Sequence, residues 1–332
     1  FNGNKFAAEA LEKGASYVVV DDSEYFKEDK RYIIVEDCLK SLQTLAHHHR
    51  MQFSIPVIGL TGSNGKTTTK ELINSVLSQQ FNTTATVGNL NNHIGVPLTL
   101  LNINSNTAIA LIEMGANHLK EIELLAAIAA PSHGYITNFG KAHLEGFGSI
   151  EGVVRGKSEL YHFLAKNKGV CLINSADPIQ VSGTQNQKTF SFGTSDKAAV
   201  TIQNIDRGAD QNIVIRTEET EIISQLKGAY NFTNIAAAIA FGYYFKIPVE
   251  DSRFNFLLQS AGSASTGFFA AGGLGMIDLE WVAPSADELD DVLGYNMYRY
   301  QIDEDGNESE PEKLNETLII EDTDESTTGV YF

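Results

Sequence analysis

Short apolar runs and stretches of helical periodicity alternate along the first 250 positions. Residues 5–13 carry helical spacing that stops at Gly14, and the next segment, 16–21, reads as a buried strand. A strand-like run at 32–35 precedes a helix marked by Leu39, Leu42, Leu45 and Ala46. From 55 to 248 the rhythm becomes regular. Strands are predicted at 56–60, 108–113, 135–138 and 169–174, and helices at 66–78, 119–129, 149–164 and 231–245. This is an α/β pattern, a mostly parallel sheet with helices on both faces. Between 200 and 226 it turns β-rich, which predicts an antiparallel excursion, and no internal repeat is visible.

Residues 254–277 contain no charged side chain. Such a stretch is long enough to cross a bilayer, but polar residues and many glycines dilute it, and a flexible junction is favoured over membrane insertion. Beyond it, strand-like runs at 276–282, 294–300 and 317–320 lie between turn residues and predict a small all-β segment. The expected organisation is a partial α/β domain at 1–50, an α/β body at 51–250, a Gly/Ala/Ser-rich junction at 251–276 and a β segment at 277–332. The chain opens at Phe1 in mid-pattern, so an upstream segment is expected, and no cationic, then apolar, leader is visible.

Charge sharpens this division. The net charge is −18, yet residues from 278 onward hold 17 of the 42 acids and two of the 24 bases. The body is nearly neutral and the tail strongly acidic, so no basic surface for nucleic acid is indicated. Cys38 and Cys171 stand far apart without metal spacing and read as free thiols. His47, His48 and His49 adjoin on a predicted helix, where neighbours point in different directions; a solvated or capping role is expected rather than a chelate.

The loop Thr61-Gly-Ser-Asn-Gly-Lys-Thr-Thr68 sits between a predicted strand and a predicted helix. Glycines at such a position turn backbone N–H groups inward, and the helix N-terminus favours an anion, so Thr61, Gly62, Ser63, Asn64, Gly65, Lys66, Thr67 and Thr68 form a candidate phosphate cradle of P-loop type. Lys66 would reach the outer phosphates and the Thr67 hydroxyl would meet Mg²⁺. The usual P-loop pattern has glycine where this chain has Leu60. The competing reading is a glycine-rich turn with an exposed lysine.

In its T-G-x-N-G-K-T-T form this loop resembles the ATP-binding signature of the Mur ligase family. Other segments match in family order: Glu113-Met-Gly115, Ile136-Thr-Asn138, Ala142-His-Leu-Glu145, Gly156-Lys-Ser-Glu159, Asn174-x-x-Asp177 and Gly228-Ala-Tyr-Asn-Phe-Thr-Asn234. Gly88-Asn-Leu-Asn-Asn-His-Ile-Gly-Val-Pro97 resembles the segment of those members that add D-alanyl-D-alanine. The similarity covers about residues 1–249, and folylpolyglutamate synthase is a more distant relative.

The resemblance implies an ATP-dependent ligase of peptidoglycan precursor synthesis, joining D-alanyl-D-alanine to UDP-N-acetylmuramoyl-tripeptide through an acyl phosphate. It implies a cytoplasmic, monomeric enzyme with two Mg²⁺ ions. Lys66, His143 and Lys157 would be catalytic; Thr67, Glu113, His143 and Lys157 would hold metal, with Lys157 as a carbamate. Asn231 and Asn234 would lie on the adenine side, and Asn89, Asn91 and Asn92 on the substrate side. Read alone, Glu113 is also a solvated strand-end acid, His143 a structural histidine, Lys157 a surface lysine paired with Glu159, and each asparagine a turn or cap residue. Amine attack needs a base, and the sequence identifies none.

Past Val249 the family pattern of a third, Rossmann-like domain does not continue. Segments 277–284 and 294–299 instead resemble early strands of a fibronectin type III module, with Trp281 as core anchor. A truncated ligase joined to a foreign fragment is therefore expected, with impaired activity. The alternative is a catalytically inactive nucleotide-binding remnant, or a fusion that displays a β interaction module.

Overall fold

The computed structural model describes residues 2–205, most of 213–247, and four short strands between 267 and 313. It divides into two units, 1–259 and 260–332. The first begins with a 3₁₀ turn, Gly3–Phe6, and helix α1, Ala7–Glu12, which cover a parallel pair, β1 (Val18–Val20) and β2 (Tyr32–Ile34). Ala7, Val18, Val20 and Tyr32 make a small core there. The buried strand expected at 16–21 is instead half-covered, with Val19 and Ile33 facing out.

Helix α2, Cys38–Met51, is capped by Asp37, whose carboxylate accepts the Lys40 amide at 2.8 Å. Its Ala46 enters the same core as Val57, Ile103 and Ile128. The histidine run ends this helix without forming a chelate. His47 Nδ1 meets the carbonyl of Ile128 at 3.0 Å, His49 Nε2 meets that of Ile103 at 2.7 Å, and Arg50 adds a bond to Ala129 O at 3.2 Å. These groups satisfy carbonyls that neighbouring helix ends leave unpaired.

The body follows in chain order: β3 Val57–Thr61, α3 Lys66–Leu77, β4 Thr83–Ala85, α4 Gly95–Leu101, β5 Ile109–Glu113, α5 Glu121–Ala129 and β6 His133–Ile136. Then come α6 Leu144–Phe147, α7 Ile150–Lys166, β7 Val170–Asn174, α8 Pro178–Gly183, β8 Lys188–Gly193 and β9 Val200–Thr201. Seven of these strands form one parallel sheet in the order β4-β5-β3-β6-β7-β8-β9. Every residue of β3 and β5 is buried, as expected of central strands covered on both faces. The predicted strand at 135–138 begins two residues earlier, and its last two residues form the loop beyond the strand.

The β-rich stretch is an antiparallel trio, β10 Gln203–Ile205, β11 Val214–Arg216 and β12 Glu221–Ile223, while β9 joins the main sheet. Helix α9, Asn231–Tyr244, follows and buries an unbroken row from Asn234 to Gly242. The chain leaves β3 toward β4 on one side and later crosses to β6 on the other. The carboxyl ends of β3, β5 and β6 therefore flank a point where the winding reverses, a preferred place for ligands in open α/β sheets.

In the second unit, β13 Gly267–Phe269 pairs antiparallel with β14 Asp278–Glu280, and β15 Tyr298–Arg299 with β16 Glu312–Lys313. The strand expected at 317–320, the Trp281 anchor and most of the uncharged stretch lie outside the described residues. Among the described residues no helix is long and apolar enough to cross a membrane.

Candidate functional site

Gly62 and Gly65 set the shape of the loop between β3 and α3. Gly62 has φ +146°, and a Cβ there would lie 2.0 Å from Thr137 Oγ1. Gly65 has φ +74° and brings no side chain to cap the first amides of α3, which leaves that helix end suited to an anion. The loop is held from below by the segment that follows β6. Thr137 Oγ1 and Asn138 Nδ2 donate to Asn64 O at 2.6 and 2.9 Å, while Ser63 Oγ donates to Gly140 O at 2.8 Å. Thr61 Oγ1 ties β3 to Met114 O at 2.7 Å.

Lys66 folds back over this loop, its Nζ 3.0 Å from Gly62 O and 3.4 Å from Ser63 O. Burial lowers its pKa below the ordinary lysine value, opposed by the negative charge of Glu113. It is not the exposed lysine of the competing reading. Thr67 Oγ1 points to Glu113 Oε1 at 3.4 Å, and Asn91 Nδ2 donates to the same oxygen at 2.8 Å. Glu113 is fully buried, and its other oxygen, Oε2, has no hydrogen-bond partner. A buried carboxylate oxygen without a donor, beside a threonine hydroxyl and a phosphate-type loop, fits a hard divalent cation.

The asparagines divide. Asn231 and Asn234 are buried in the first turn of α9, joined Nδ2 to Oδ1 at 3.0 Å, and Asn234 Oδ1 accepts Thr69 Oγ1 at 3.0 Å. A Cβ on Gly65 would come within 2.9 Å of Asn234, so α9 abuts the loop directly. Asn92 Oδ1 accepts the amides of Ile94 and Gly95 at 3.0 and 2.8 Å, a cap for α4. Asn89 is exposed, and Asn91 alone of the three bonds to Glu113.

Lys157 sits in α7, 1% exposed, with Nζ donating to Ala116 O at 3.0 Å and 5.2 Å from the centre of the Phe147 ring. Burial first, and then the charge of Lys66, bring its pKa down to about 8. The surface reading, paired with Glu159, is overturned. Glu159 instead accepts the Lys120 and Glu123 amides at 2.7 and 2.9 Å and caps α5 from another helix. His143 is exposed with φ +52°, and its pKa is lowered by partial burial and then by Lys157 and Lys66. Thr67 and Glu113 are thus brought together, whereas no bond links His143 or Lys157 to them. Among the described residues no three His, Cys, Asp or Glu side chains cluster as a metal site.

Sequence reasoning passed over Lys70. It is fully buried, and its Nζ donates to Thr86 O at 2.7 Å and Gly88 O at 3.3 Å. The signal was present: Lys70 falls in helical phase with Ile73 and Leu77, both buried.

The chain is 37% identical over 254 residues to the UDP-N-acetylmuramoyl-tripeptide–D-alanyl-D-alanine ligase of Bacillus subtilis, covering 76% of this chain and 55% of that one. Similar solved structures include MurF from Acinetobacter baumannii, with TM-score 0.69 and 29% identity over 84% of this chain and 62% of that one. MurF from Thermotoga maritima in complex with ADP matches with TM-score 0.66 and 28% identity over 78% and 60%. The chain spans about half the length of the relatives it matches. Residues 60–242 match the Mur ligase middle domain, which carries the loop, Glu113, Lys157 and the start of α9, and the chain belongs to the Mur ligase family.

Proposed function

We propose that this chain carries the nucleotide site of an ATP-dependent ligase joining D-alanyl-D-alanine to UDP-N-acetylmuramoyl-tripeptide in the cytoplasm. The observation that carries the reading is that Thr67, at the end of the loop Lys66 folds over, meets a buried carboxylate whose second oxygen lacks a hydrogen-bond donor. The Gly62–Thr68 loop and the α3 amides hold the phosphates, Lys66 turns from its carbonyls to the outer phosphate, and Asn231 and Asn234 border the adenine. In-line transfer to the substrate carboxylate then rests on positioning.

Thr67 and Glu113 would hold Mg²⁺, with His143 and a Lys157 carbamate toward a second ion. Bound there, the cations neutralise charge on the transferring phosphoryl group. Burial supports the assignment of Lys157, because a pKa of about 8 leaves more neutral amine at pH 7 than an ordinary lysine, and only the amine adds CO₂. Asn91, and beside it Asn89 and Asn92, face the muramoyl substrate.

Titration of the purified chain with ADP, followed by ADP and phosphate release with both ligase substrates, tests the reading. Release that requires both substrates supports it. Nucleotide binding without such release favours a nucleotide-binding protein that does not turn over, and no nucleotide binding refutes both.

A further inference from the structure

We infer that Lys70 is a positioning residue, anchoring the Thr86–Asn91 segment to the phosphate-loop helix and so holding Asn91 against Glu113. A lysine with no solvent exposure is uncommon and calls for specific partners. Here Nζ donates to the carbonyls of Thr86 and Gly88 and lies 2.8 Å from Glu71 Oε1 and 4.0 Å from Glu113 Oε2. Thr86 in turn accepts the Glu113 amide through Oγ1 at 2.9 Å, and its own amide bonds Leu111 O at 3.0 Å.

The segment is therefore fastened at both ends to one buried pair of charges. Its entry is held by Lys70 through two carbonyls and by the Thr86 bonds to β5, and its exit by the Asn91 side-chain bond to Glu113 and by the Gly115 amide, which donates to Asn91 O at 2.8 Å. Between them Val87, Gly88, Asn89 and Leu90 are exposed. Helix α3, by contrast, is independently secured by buried Leu72, Ile73, Val76 and Leu77. If the ammonium is removed, the segment moves and the helix stays, because the freed carbonyl of buried Thr86 can reach water only by swinging outward. Lys70 makes no hydrogen bond to a group assigned to the nucleotide or metal, and its ammonium lies 4.0 Å from Glu113 Oε2. It acts on the substrate side through Asn91, a step that rests on the ligase reading.

Lys70→Met keeps the length of the side chain without its donors, and Lys70→Arg keeps charge and donors. Hydrogen exchange on the full chain reads the anchor directly. In Lys70→Met the protected amides of Thr86, Leu90 and Asn91 should exchange at least tenfold faster, with α3 and β5 within twofold of the parent, and Lys70→Arg should restore most of the protection. Unchanged exchange at 86–91 overturns the inference, as does equal acceleration across α3, β5 and this segment. Calorimetry with ADP and with UDP-N-acetylmuramoyl-tripeptide adds the functional arm. The variant should bind ADP within twofold of the parent and the muramoyl tripeptide at least tenfold more weakly. A parent chain that binds no muramoyl tripeptide refutes the ligase reading while the exchange data still decide the role of Lys70.

Discussion

Asn91 and Glu113 meet at 2.8 Å, an amide from a surface-facing loop bonded to a carboxylate with no solvent exposure. Glu113 Oε2 has no hydrogen-bond donor, so the Asn91 bond works together with the Lys70 ammonium, 4.0 Å from that oxygen, to compensate the buried charge. Asn91→Ala should lower stability by about 1–3 kcal/mol, the range for leaving a buried polar group unpaired. Asn91→Asp should cost more, since it sets a second carboxylate beside the first. Urea unfolding of the two variants checks the order, and an Asn91→Asp protein as stable as Asn91→Ala contradicts it.

Lys66 presents the opposite case. Its ammonium donates to two carbonyls of its own loop, and burial disfavours its charge. Lys66→Met should change stability by less than about 1 kcal/mol, because a modest hydrogen-bond gain is exchanged for relief from desolvation. ADP affinity should fall at least about tenfold, the loss of one charge-assisted phosphate contact. Calorimetric titration and thermal unfolding separate the two effects.

Gly62 tests the loop geometry. Its positive φ and the 2.0 Å approach of a Cβ to Thr137 Oγ1 leave no room for a side chain. Gly62→Ala should destabilise the protein by about 2–4 kcal/mol through strain and displacement of Thr137. Its midpoint in urea should drop well below that of Gly183→Ala, where a Cβ meets nothing within 4 Å.

The parts of this architecture legible in the sequence are those with one dominant signal. Uninterrupted apolar runs mark β3 and β5, and the glycine pattern marks the phosphate loop between strand and helix. Strand β4, Thr83–Ala85, is half-buried throughout and carries no alternation, so nothing in its pattern separates it from a loop. Helix α4 opens with Gly95 and Pro97, which read as breakers, yet proline is tolerated in a first turn where amides lack partners anyway. In β8, Lys188 and Thr189 are exposed before Phe192 is buried, a mixed pattern that hides its place in the sheet. At the site, residue types were readable and their pairing was not. The Asn91–Glu113 bond and the burial of Lys70 depend on β4 lying beside β5.

His133 should make stability pH-dependent. It packs against Tyr244 and Phe245, bonds Ser132 Oγ and Tyr244 OH through its two ring nitrogens, and burial lowers its pKa to about 4. An unfolded histidine titrates near 6.5. Above that value both states are neutral and the group costs nothing. As pH falls from 6.5 toward 4 the unfolded state binds the proton first, so stability declines by at most roughly 3 kcal/mol. His133→Phe should flatten that part of the urea-midpoint profile between pH 7 and 4. A profile as steep as the parent's would place the titration elsewhere.

Lys157 gives the converse test, in which a functional candidate weakens the fold. With its pKa brought down to about 8 from the ordinary 10.5, the folded state releases the proton more readily than the unfolded one. Above pH 10.5 both states are neutral and there is no penalty. The penalty grows as pH falls from 10.5 to 8 and is complete below 8, reaching at most roughly 3 kcal/mol. The bond to Ala116 O and the contact with Phe147 offset part of it. Lys157→Met retains the buried bulk without the charge, and should raise stability at pH 7 by about 1–2 kcal/mol. The gain should stay level below pH 8 and shrink as pH rises toward 10.5, measured by urea unfolding across that range. A variant less stable than the parent at pH 7 would mean that the Ala116 and Phe147 contacts outweigh the burial of the ammonium.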